Sequence, residues 1–275
     1  MIRKLPQRFV EKIWGVERLP SFFAHAPQSR IGEIWFEPPP ELDALLVKYI
    51  FTSERLSVQA HPNDQQVRSM GLGKTGKSEC WVIIDAEPGA EIAAGFENKV
   101  DPDGMRRSAL DGSILDLLSW HRVEAGDVFY IPAGTVHAIG AGVSLIEVQQ
   151  NSDITFRLYD YGRPRELHLD QGMQVASGLP YPEQLKSRVT NAAGPVVKSP
   201  HFTLYLWKKD TSPFPSPLHE GPALVIPYGG EIHLAGETLK PGECALALSS
   251  HDQSLSGEGS ALIAQAVDPI SGNVG

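Results

Sequence analysis

The sequence predicts a mainly β protein built from two jelly-roll-like units, of which the second is the smaller. The chain has 26 Gly and 22 Pro among 275 residues, and these separate short runs rich in β-branched and aromatic residues. This pattern is typical of antiparallel proteins with many short strands. A turn that leads into a strand occurs at residues 124–127 and again at residues 240–243, which suggests that the two units have similar folds.

The first unit contains five predicted strands and two predicted helices. The strands cover residues 45–51, 80–84, 127–131, 144–149 and 155–159. Residues 155–159 alternate between apolar and polar types, which predicts a strand with one buried face. Helices are predicted at residues 100–118, where a glycine interrupts the helical spacing, and at residues 165–177.

A stretch rich in Gly, Pro and polar residues, 178–193, separates the two units. It predicts a boundary between a first domain, residues 1–190, and a C-terminal β domain, residues 191–275. In the second domain, strands are predicted at residues 202–207, 223–227 and 243–248. 

Composition narrows the range of functions. The formal net charge of −9 argues against a nucleic-acid partner, because such proteins need a basic face. No apolar run approaches the roughly 20 residues that span a bilayer, and the N-terminus lacks the features of a signal peptide. Cys80 and Cys244 lie far apart and form no CxxC pair. We therefore expect a cytoplasmic protein with no nucleic-acid or membrane partner, of unknown oligomeric state.

Residues 126–137 give the clearest chemical signal. Gly126 and Asp127 begin a strand, Pro132 and Gly134 end it in a tight turn, and His137 follows on the return strand. A metal ligand needs such rigid placement, since metal–nitrogen bonds of about 2.0–2.1 Å leave little tolerance. The pattern Gly-x5-Pro-x-Gly-x2-His resembles the second conserved motif of the cupin superfamily.

Candidate partner ligands lie upstream of His137. Gln59 and His61 are two residues apart, so on a strand both side chains point to the same face. Glu79 immediately precedes a predicted strand and supplies a carboxylate. This mixed set of nitrogen and oxygen donors suits Zn²⁺, although Fe, Mn and Co can compete for it.

Several segments resemble type I mannose-6-phosphate isomerases, most closely their short bacterial branch. The segments are residues 12–15, 32–35, 56–62, 77–79, 132–138 and 149–161, in the order that the family shows. The resemblance covers about residues 9–177. It implies a catalytic cupin lobe in the first domain. Residues 195–275 carry no matching motif, so the smaller, cupin-like C-terminal lobe is predicted from its turns and strands alone.

The resemblance also implies roles for individual residues. One zinc ion would be bound by Gln59, His61, Glu79 and His137. Lys77 and Arg157 would be the catalytic residues, and Trp14 and Asp153 would line the substrate pocket.

The implied reaction interconverts mannose 6-phosphate and fructose 6-phosphate through a cis-enediol, with the metal polarising the substrate oxygens. Lys77 lies two residues from Glu79, and a nearby cation would favour its neutral form, as a base requires. Arg157 is always charged, so it is expected to position substrate and stabilise an oxyanion. The sequence leaves open which group moves the proton. Candidates for binding the phosphate are Ser57, Lys74 and Arg163.

Two other classes of function stay open. An iron-dependent cupin oxygenase would use the same ligands with dioxygen. A non-catalytic cupin that binds a sugar or sugar phosphate would keep the metal site without turnover. Lys77 and Arg157 favour catalysis, because a binding protein needs no base at the metal.

Residues 71–78 match the P-loop pattern G-x4-G-K-[ST]. A P-loop follows a buried strand and opens a helix, whereas the segment before this match looks helical and the segment after it looks like a strand. Nucleotide hydrolysis is therefore not predicted.

Larger members of the resembled family carry an inserted helical domain, for which this chain is too short. We expect the helix at residues 100–118 to form the corresponding wall of the pocket.

Overall fold

The computed structural model describes residues 2–23, 29–189, 192–209, 221–248 and 255–267. In this part of the chain strands dominate and helices are short, which confirms the mainly β fold. The strands, numbered along the chain, are β1 (Ile2–Lys4), β2 (Gln7–Val16), β3 (Ile31–Phe36), β4 (Leu45–Phe51), β5 (Val58–Ala60), β6 (Glu79–Ala86), β7 (Glu91–Phe96), β8 (Leu118–Arg122), β9 (Asp127–Ile131), β10 (His137–Ile139), β11 (Val143–Gln150), β12 (Phe156–Tyr159), β13 (Lys186–Arg188), β14 (Gly194–Lys198), β15 (Phe202–Lys208), β16 (Ala223–Gly229), β17 (Ile232–Leu234), β18 (Glu237–Leu239), β19 (Ala245–Ala247), β20 (Leu255–Ser256) and β21 (Ser260–Ala266). The α-helices are α1 (Asp64–Ser69), α2 (Pro102–Asp111), α3 (Ile114–Leu117) and α4 (Leu169–Val175).

Two antiparallel sheets form what we call the first lobe. One has seven strands in the order β13-β9-β6-β11-β4-β3-β2, and the other has five in the order β12-β5-β10-β7-β8. Side chains from both sheets line a single cavity. The first lobe is therefore a jelly roll of two facing sheets, as the sequence predicts.

Strand β4 shows why the seven-stranded sheet is so apolar. Tyr49 packs in a core that it shares with Leu204 and Leu262 of the C-terminal part of the chain. Ile50, on the opposite face, packs in the core between the two sheets of the first lobe. A strand that is buried on both faces has no reason to alternate between apolar and polar residues. Both β4 and β9 match their predicted ranges residue for residue.

The second lobe contains a six-stranded sheet, β1-β19-β16-β21-β15-β14, and a three-stranded sheet, β18-β17-β20. Its edge strand β1 comes from the start of the chain and pairs antiparallel with β19. Just after β1, the Leu5 amide donates a 2.8 Å hydrogen bond to the Cys244 carbonyl. The N-terminus therefore completes a sheet of the second lobe. The predicted domain boundary, between residues 190 and 191, lies outside the described residues and stays a prediction.

The predicted helix at residues 100–118 is divided into α2 and α3. Helix α2 ends at Gly112, whose φ of 86° places it in the left-handed conformation that glycine adopts readily. A Cβ at this position would lie 2.8 Å from the Tyr159 hydroxyl. The helix predicted at residues 165–177 is shorter than expected and corresponds to α4. Among the described helices, none has the length and apolar character to cross a membrane.

Strand β21 was not predicted, although it lies inside the six-stranded sheet between β16 and β15. Its sequence, SALIAQA, is rich in alanine, which has a low intrinsic preference for strands. Burial of Leu262 and Ile263 in the second lobe outweighs that preference. The other strands predicted in this region, at residues 202–207, 223–227 and 243–248, correspond to β15, β16 and β19 with shifted ends.

Candidate functional site

Three of the predicted ligands converge between the two sheets. His61 follows β5, Glu79 begins β6 and His137 begins β10, and their side chains are almost fully buried. Glu79 Oε2 lies 3.5 Å from His61 Nε2, and Glu79 Oε1 lies 3.4 Å from His137 Nε2. The three candidate ligand atoms all lie within 4.8 Å of one another.

Backbone carbonyls orient both imidazoles. His61 Nδ1–H donates to the Ile154 carbonyl, and His137 Nδ1–H donates to the Thr135 carbonyl, each at 2.9 Å. A carbonyl can only accept, so the proton lies on Nδ1 and the Nε2 lone pairs point toward Glu79. This is the outer-sphere arrangement that metal-binding histidines use.

Local turns place these ligands. The predicted turn after β9 is present: Gly134 has a φ of 89°, and its amide donates a 2.8 Å hydrogen bond to the His61 carbonyl. On the other side, a Cβ at Gly76 would lie 2.5 Å from the Asn63 carbonyl carbon, so only glycine lets the chain pass there. The Lys77 amide then donates to the Pro62 carbonyl at 3.0 Å, which brings residues 77–79 beside His61.

The centre fits a divalent cation. Glu79 Oε1 is buried and has no hydrogen-bond partner among the described residues, which is costly for a carboxylate oxygen without a ligand. Burial raises the pKa of Glu79 to about 7, lowers the pKa of His137 to about 4 and lowers the pKa of His61 well below its usual range. Neutral imidazoles keep their lone pairs available, and a bound cation would stabilise the Glu79 carboxylate.

Gln59, the fourth predicted ligand, lies at the edge of this centre. It is opposite His137 in the pairing of β5 with β10, and its Nε2 lies 3.3 Å from His137 Nε2. Its Oε1 accepts a 3.3 Å hydrogen bond from the Ser57 hydroxyl. Rotating the amide by half a turn would direct the oxygen to the centre, and such a rotation leaves the atomic outline almost unchanged.

Lys77 lies against the candidate metal centre. Its Nζ donates to Glu79 and lies 3.3 Å from His61 Nε2 and 3.9 Å from Glu147 Oε2. Burial alone would lower the pKa of Lys77, but Glu147 and Glu79 outweigh it, and the pKa lies above its usual value. The protein's own charges therefore act against the neutral form that we expected from the sequence.

A second buried ion pair, between Lys48 and Glu147, is not predicted from the sequence. These residues are opposite each other in β4 and β11, with Lys48 Nζ 3.1 Å from Glu147 Oε1. Glu147 also accepts from Trp81 Nε1 at 3.1 Å, and Lys48 donates to Gln149 Oε1 at 2.6 Å. Although burial opposes ionisation, Lys77 and Lys48 lower the pKa of Glu147 to about 2. The sequence signal for this pair is a single charged residue inside each of two otherwise apolar strands.

Glu79, Lys77 and the pair of Lys48 and Glu147 line a cavity of about 330 Å³, within the usual range for small-molecule sites, whereas His61 and His137 are not among its lining residues. Of the predicted residues, those that line it are Trp14, Ser57, Gln59, Lys77, Glu79, Asp153 and Arg157. The lining residues with side-chain chemistry that the sequence analysis gave no role are Lys12, Glu33, Trp35, Lys48, Trp81, Glu147, Thr155 and Arg165.

The prediction that the helix at residues 100–118 forms a wall of the cavity is wrong. No described residue of the range 100–118 lines the cavity, and the wall comes from β2 and β3 instead. Lys12 Nζ lies 3.1 Å from Glu33 Oε1, and Trp35 Nε1 donates to Glu33 at 2.5 Å. Lys48 Nζ lies 4.5 Å from the centroid of Trp35. Because β3 pairs with β4, the N-terminal strands extend the sheet that carries Lys48, whereas α2 and α3 pack in a separate apolar core.

Two of the residues suggested for phosphate binding lie elsewhere. Lys74 is exposed and does not line the cavity; its loop is held by Arg68, which donates to the Lys74 carbonyl at 3.3 Å. Arg163 also lies outside the lining and pairs with Glu54 at 2.9 Å. The prediction that Lys74 binds substrate therefore has no support from its position.

Residues 71–78 have the reverse of P-loop order. Helix α1 precedes them and β6 follows them. A phosphate-binding loop needs the strand first and the amides of a helix N-terminus after it. The structure thus confirms the helix-loop-strand order that the sequence predicts around this match.

Comparisons with known proteins agree with this geometry. No protein-family profile matches the chain. The chain is 31% identical to "Mannose-6-phosphate isomerase ManA" of Bacillus subtilis over 83% of this chain and 94% of that relative. The crystal structure of the mannose 6-phosphate isomerase from Bacillus subtilis has a TM-score of 0.75 at 24% identity, covering 95% of this chain and 98% of that one. A zinc-bound mannose 6-phosphate isomerase has a TM-score of 0.70 at 15% identity, covering 96% of this chain and 99% of that one.

Proposed function

The chain belongs to the mannose-6-phosphate isomerase family, and from this premise we propose that it interconverts mannose 6-phosphate and fructose 6-phosphate with one zinc ion. The observation that carries the proposal is the buried His61, Glu79 and His137 cluster, which opens through Glu79 on a cavity lined by five lysines and arginines and by four carboxylates, so that a bound cation would give the cavity an excess of positive charge. A cation site beside several positive side chains suits an anionic sugar phosphate, even in a protein of net charge −9.

The proposed zinc ligands are Gln59, His61, Glu79 and His137. When bound, zinc supplies a Lewis acid that polarises the substrate oxygens and stabilises the charge of an enediolate. The isomerisation then requires a proton to move between C2 and C1, with a cis-enediol as the intermediate. The residues of the chain have to bind the sugar, hold that proton and exclude water.

We propose Lys77 and Arg157 as the catalytic residues. Lys77 Nζ lies beside Glu79 and His61, so it can hold or deliver a proton at the reacting carbons. Arg157 lies opposite Gln59 in the pairing of β12 with β5, and its Nη1 donates to the Glu166 carbonyl at 2.6 Å. That hydrogen bond fixes a permanent positive charge at the cavity wall, where it can orient substrate oxygens and stabilise an oxyanion.

The remaining predicted residues have supporting roles in the proposal. Trp14 and Asp153 line the cavity and would bind the sugar, and Ser57 offers a hydroxyl next to Gln59. The buried pair of Lys48 and Glu147 would hold Lys77 in place, because Glu147 contacts both lysines. 

The relatives are named isomerases, which favours isomerisation over the oxygenase and the non-catalytic binder. A different observation would contradict each of these two alternatives. Isomerisation needs no dioxygen, so full turnover under anaerobic conditions would contradict an oxygenase. Exchange of the C2 proton of mannose 6-phosphate with solvent would contradict a binding protein without catalysis.

The direct test is a coupled assay for fructose 6-phosphate formation, run together with metal analysis of the same sample. We expect one zinc per chain, loss of activity after chelation and recovery when Zn²⁺ is added back. Full activity in a sample shown to contain no metal would contradict the proposal.

We also propose that the protein acts in the cytoplasm. A sugar phosphate carries two negative charges near neutral pH, and moving such charges through hydrocarbon is strongly unfavourable. An enzyme that uses this substrate is therefore expected in the compartment where the substrate is made. 

A further inference from the structure

We propose that Arg165 binds the phosphate of the substrate and that Asp160 is the residue that positions Arg165 for this task. The inference rests on the proposed function, because it assigns the phosphate end of the same substrate. Arg165 lies outside every segment used to predict the site, and it lines the same cavity as Arg157.

Asp160 holds Arg165 in a fixed orientation. Arg165 Nε donates to Asp160 Oδ2 and Arg165 Nη2 donates to Asp160 Oδ1, both at 2.6 Å. The Asp160 side chain is only 2% exposed, whereas that of Arg165 is 27% exposed. A two-point contact with a buried carboxylate fixes the plane of the guanidinium. The N–H groups on the opposite edge stay available to a ligand in the cavity.

The three lysines that line the cavity are already paired with carboxylates. Lys12 lies 3.1 Å from Glu33, Lys48 lies 3.1 Å from Glu147, and Lys77 donates to Glu79. Their charges are therefore largely balanced inside the lobe.

The wall formed by Arg157 and Arg165 has an excess of positive charge. Within the described residues, no carboxylate oxygen lies within 4.0 Å of the Arg157 guanidinium, and its Nε is buried without a hydrogen-bond partner. Asp160 is shared, because Arg163 Nη1 also lies 3.4 Å from its Oδ1. Burial and then the nearby charge of Arg165 lower the pKa of Arg157, as expected for two guanidinium groups that face a common space, and the charges of Asp160 and Glu166 offset this only in part. A dianion would relieve this excess and satisfy the free donors.

The turn after β12 explains how Arg165 reaches the cavity. Tyr161 and Gly162 both adopt left-handed conformations, with φ of 56° and 74°. The chain then reverses, and the His168 amide donates to the Arg157 carbonyl at 2.7 Å. Residues 160–168 therefore fold back along β12, which carries Arg165 to the same wall as Arg157.

The experiment measures substrate kinetics and ligand binding with the zinc-loaded protein. Arg165→Gln removes the charge, and we expect it to raise the KM for mannose 6-phosphate about 10- to 100-fold while kcat falls less than about threefold. The binding probe is the mannitol phosphate obtained by reducing mannose 6-phosphate at C1, which cannot be isomerised. Its Kd, measured by calorimetry, should rise by the same factor as KM.

The positioning role of Asp160 has its own test. Asp160→Asn leaves the Arg165 charge but loosens its orientation, so we expect a smaller rise in KM, about 3- to 10-fold. In the Arg165→Gln background the same substitution should add nothing, because its partner is already gone. An equal effect of Asp160→Asn in both backgrounds would show a structural role and overturn the assignment.

Arg163→Gln is the matched control, since Arg163 also contacts Asp160 but lies outside the cavity lining. It should change KM and Kd less than about twofold. If Arg165→Gln has no larger effect than Arg163→Gln, Arg165 does not bind the phosphate. If Arg165→Gln fails to fold, Arg165→Lys provides the same comparison with a milder effect. If the wild-type protein binds the mannitol phosphate but does not isomerise mannose 6-phosphate, the proposed function fails while the phosphate assignment stands.

Discussion

The first lobe buries charged side chains between its sheets, whereas the second lobe buries apolar ones. Within the described residues, every buried charged or histidine side chain belongs to the first lobe: Glu33, Lys48, His61, Lys77, Glu79, His137, Glu147 and Asp160. The core of the second lobe instead contains Trp207, Ile232, Leu239 and Ile263. Both lobes are sandwiches of antiparallel strands, so the sheet architecture alone does not create a site.

The buried charges of the first lobe lower its stability in exchange for a site that can bind a ligand. Removing charges from water is costly, and the cost is offset only when partners and hydrogen bonds are complete. In the first lobe Lys48, Glu147, Lys77 and Glu79 satisfy one another, and Glu79 Oε1 is left for a ligand. The second lobe buries no charged side chain in its described residues, and its core consists mainly of packed apolar side chains.

The largest effect is expected from removing a metal ligand. His137→Ala should abolish zinc binding and reduce activity by at least about a thousandfold, because the remaining donors cannot complete the coordination. Metal analysis and the isomerase assay on the same sample would check this.

His233→Ala is the matched control in the second lobe, where His233 Nδ1 lies 3.1 Å from the Thr238 hydroxyl. It should retain zinc and activity. Retention of stoichiometric zinc by His137→Ala would contradict the assignment of the metal centre.

A smaller loss of activity is expected from Arg157→Gln. In the proposed mechanism its charge stabilises an oxyanion and does not bind the metal, so kcat should fall about 100- to 1,000-fold while zinc content stays at the wild-type level. Steady-state kinetics and metal analysis provide the two readouts. Arg188→Gln removes a half-exposed arginine that pairs with Asp127 outside the cavity, and it should leave kcat unchanged. Equal kcat values for the two variants would remove Arg157 from the catalytic residues.

The smallest effect on catalysis is expected in the second lobe. Ile263 is fully buried in its apolar core, so Ile263→Ala should lower the free energy of unfolding by about 2–5 kcal/mol without changing kcat or zinc content at temperatures where the protein is folded. Denaturant unfolding would measure the loss. Ile263→Val should cost only about 0.5–1.5 kcal/mol. A large drop in kcat for folded Ile263→Ala would mean that the two lobes are coupled during catalysis.

Much of the site could be predicted because it depends on short segments. The strand-turn-strand segment 126–137, with its turn at Pro132 and Gly134, places His137 by local geometry alone. The two-residue spacing of Gln59 and His61 puts both side chains on the same face of a strand. The position of Lys74 could not be predicted from local spacing. Lys74 lies three residues before Lys77, yet the bend at Gly76 separates an exposed loop from the buried centre.

The mainly β fold, the candidate metal ligands and Lys77 could be predicted from the sequence, because turns and strand periodicity are encoded in neighbouring residues. Three features depend on the tertiary structure: the cavity wall formed by β2 and β3, the pairing of Lys48 with Glu147, and the contact between Asp160 and Arg165. These contacts depend on the register of strands that are distant in sequence and on a loop that folds back, and neither leaves a local pattern. A buried charged side chain is stable only beside a side chain of opposite charge, and the pairing of the strands determines which side chain that is.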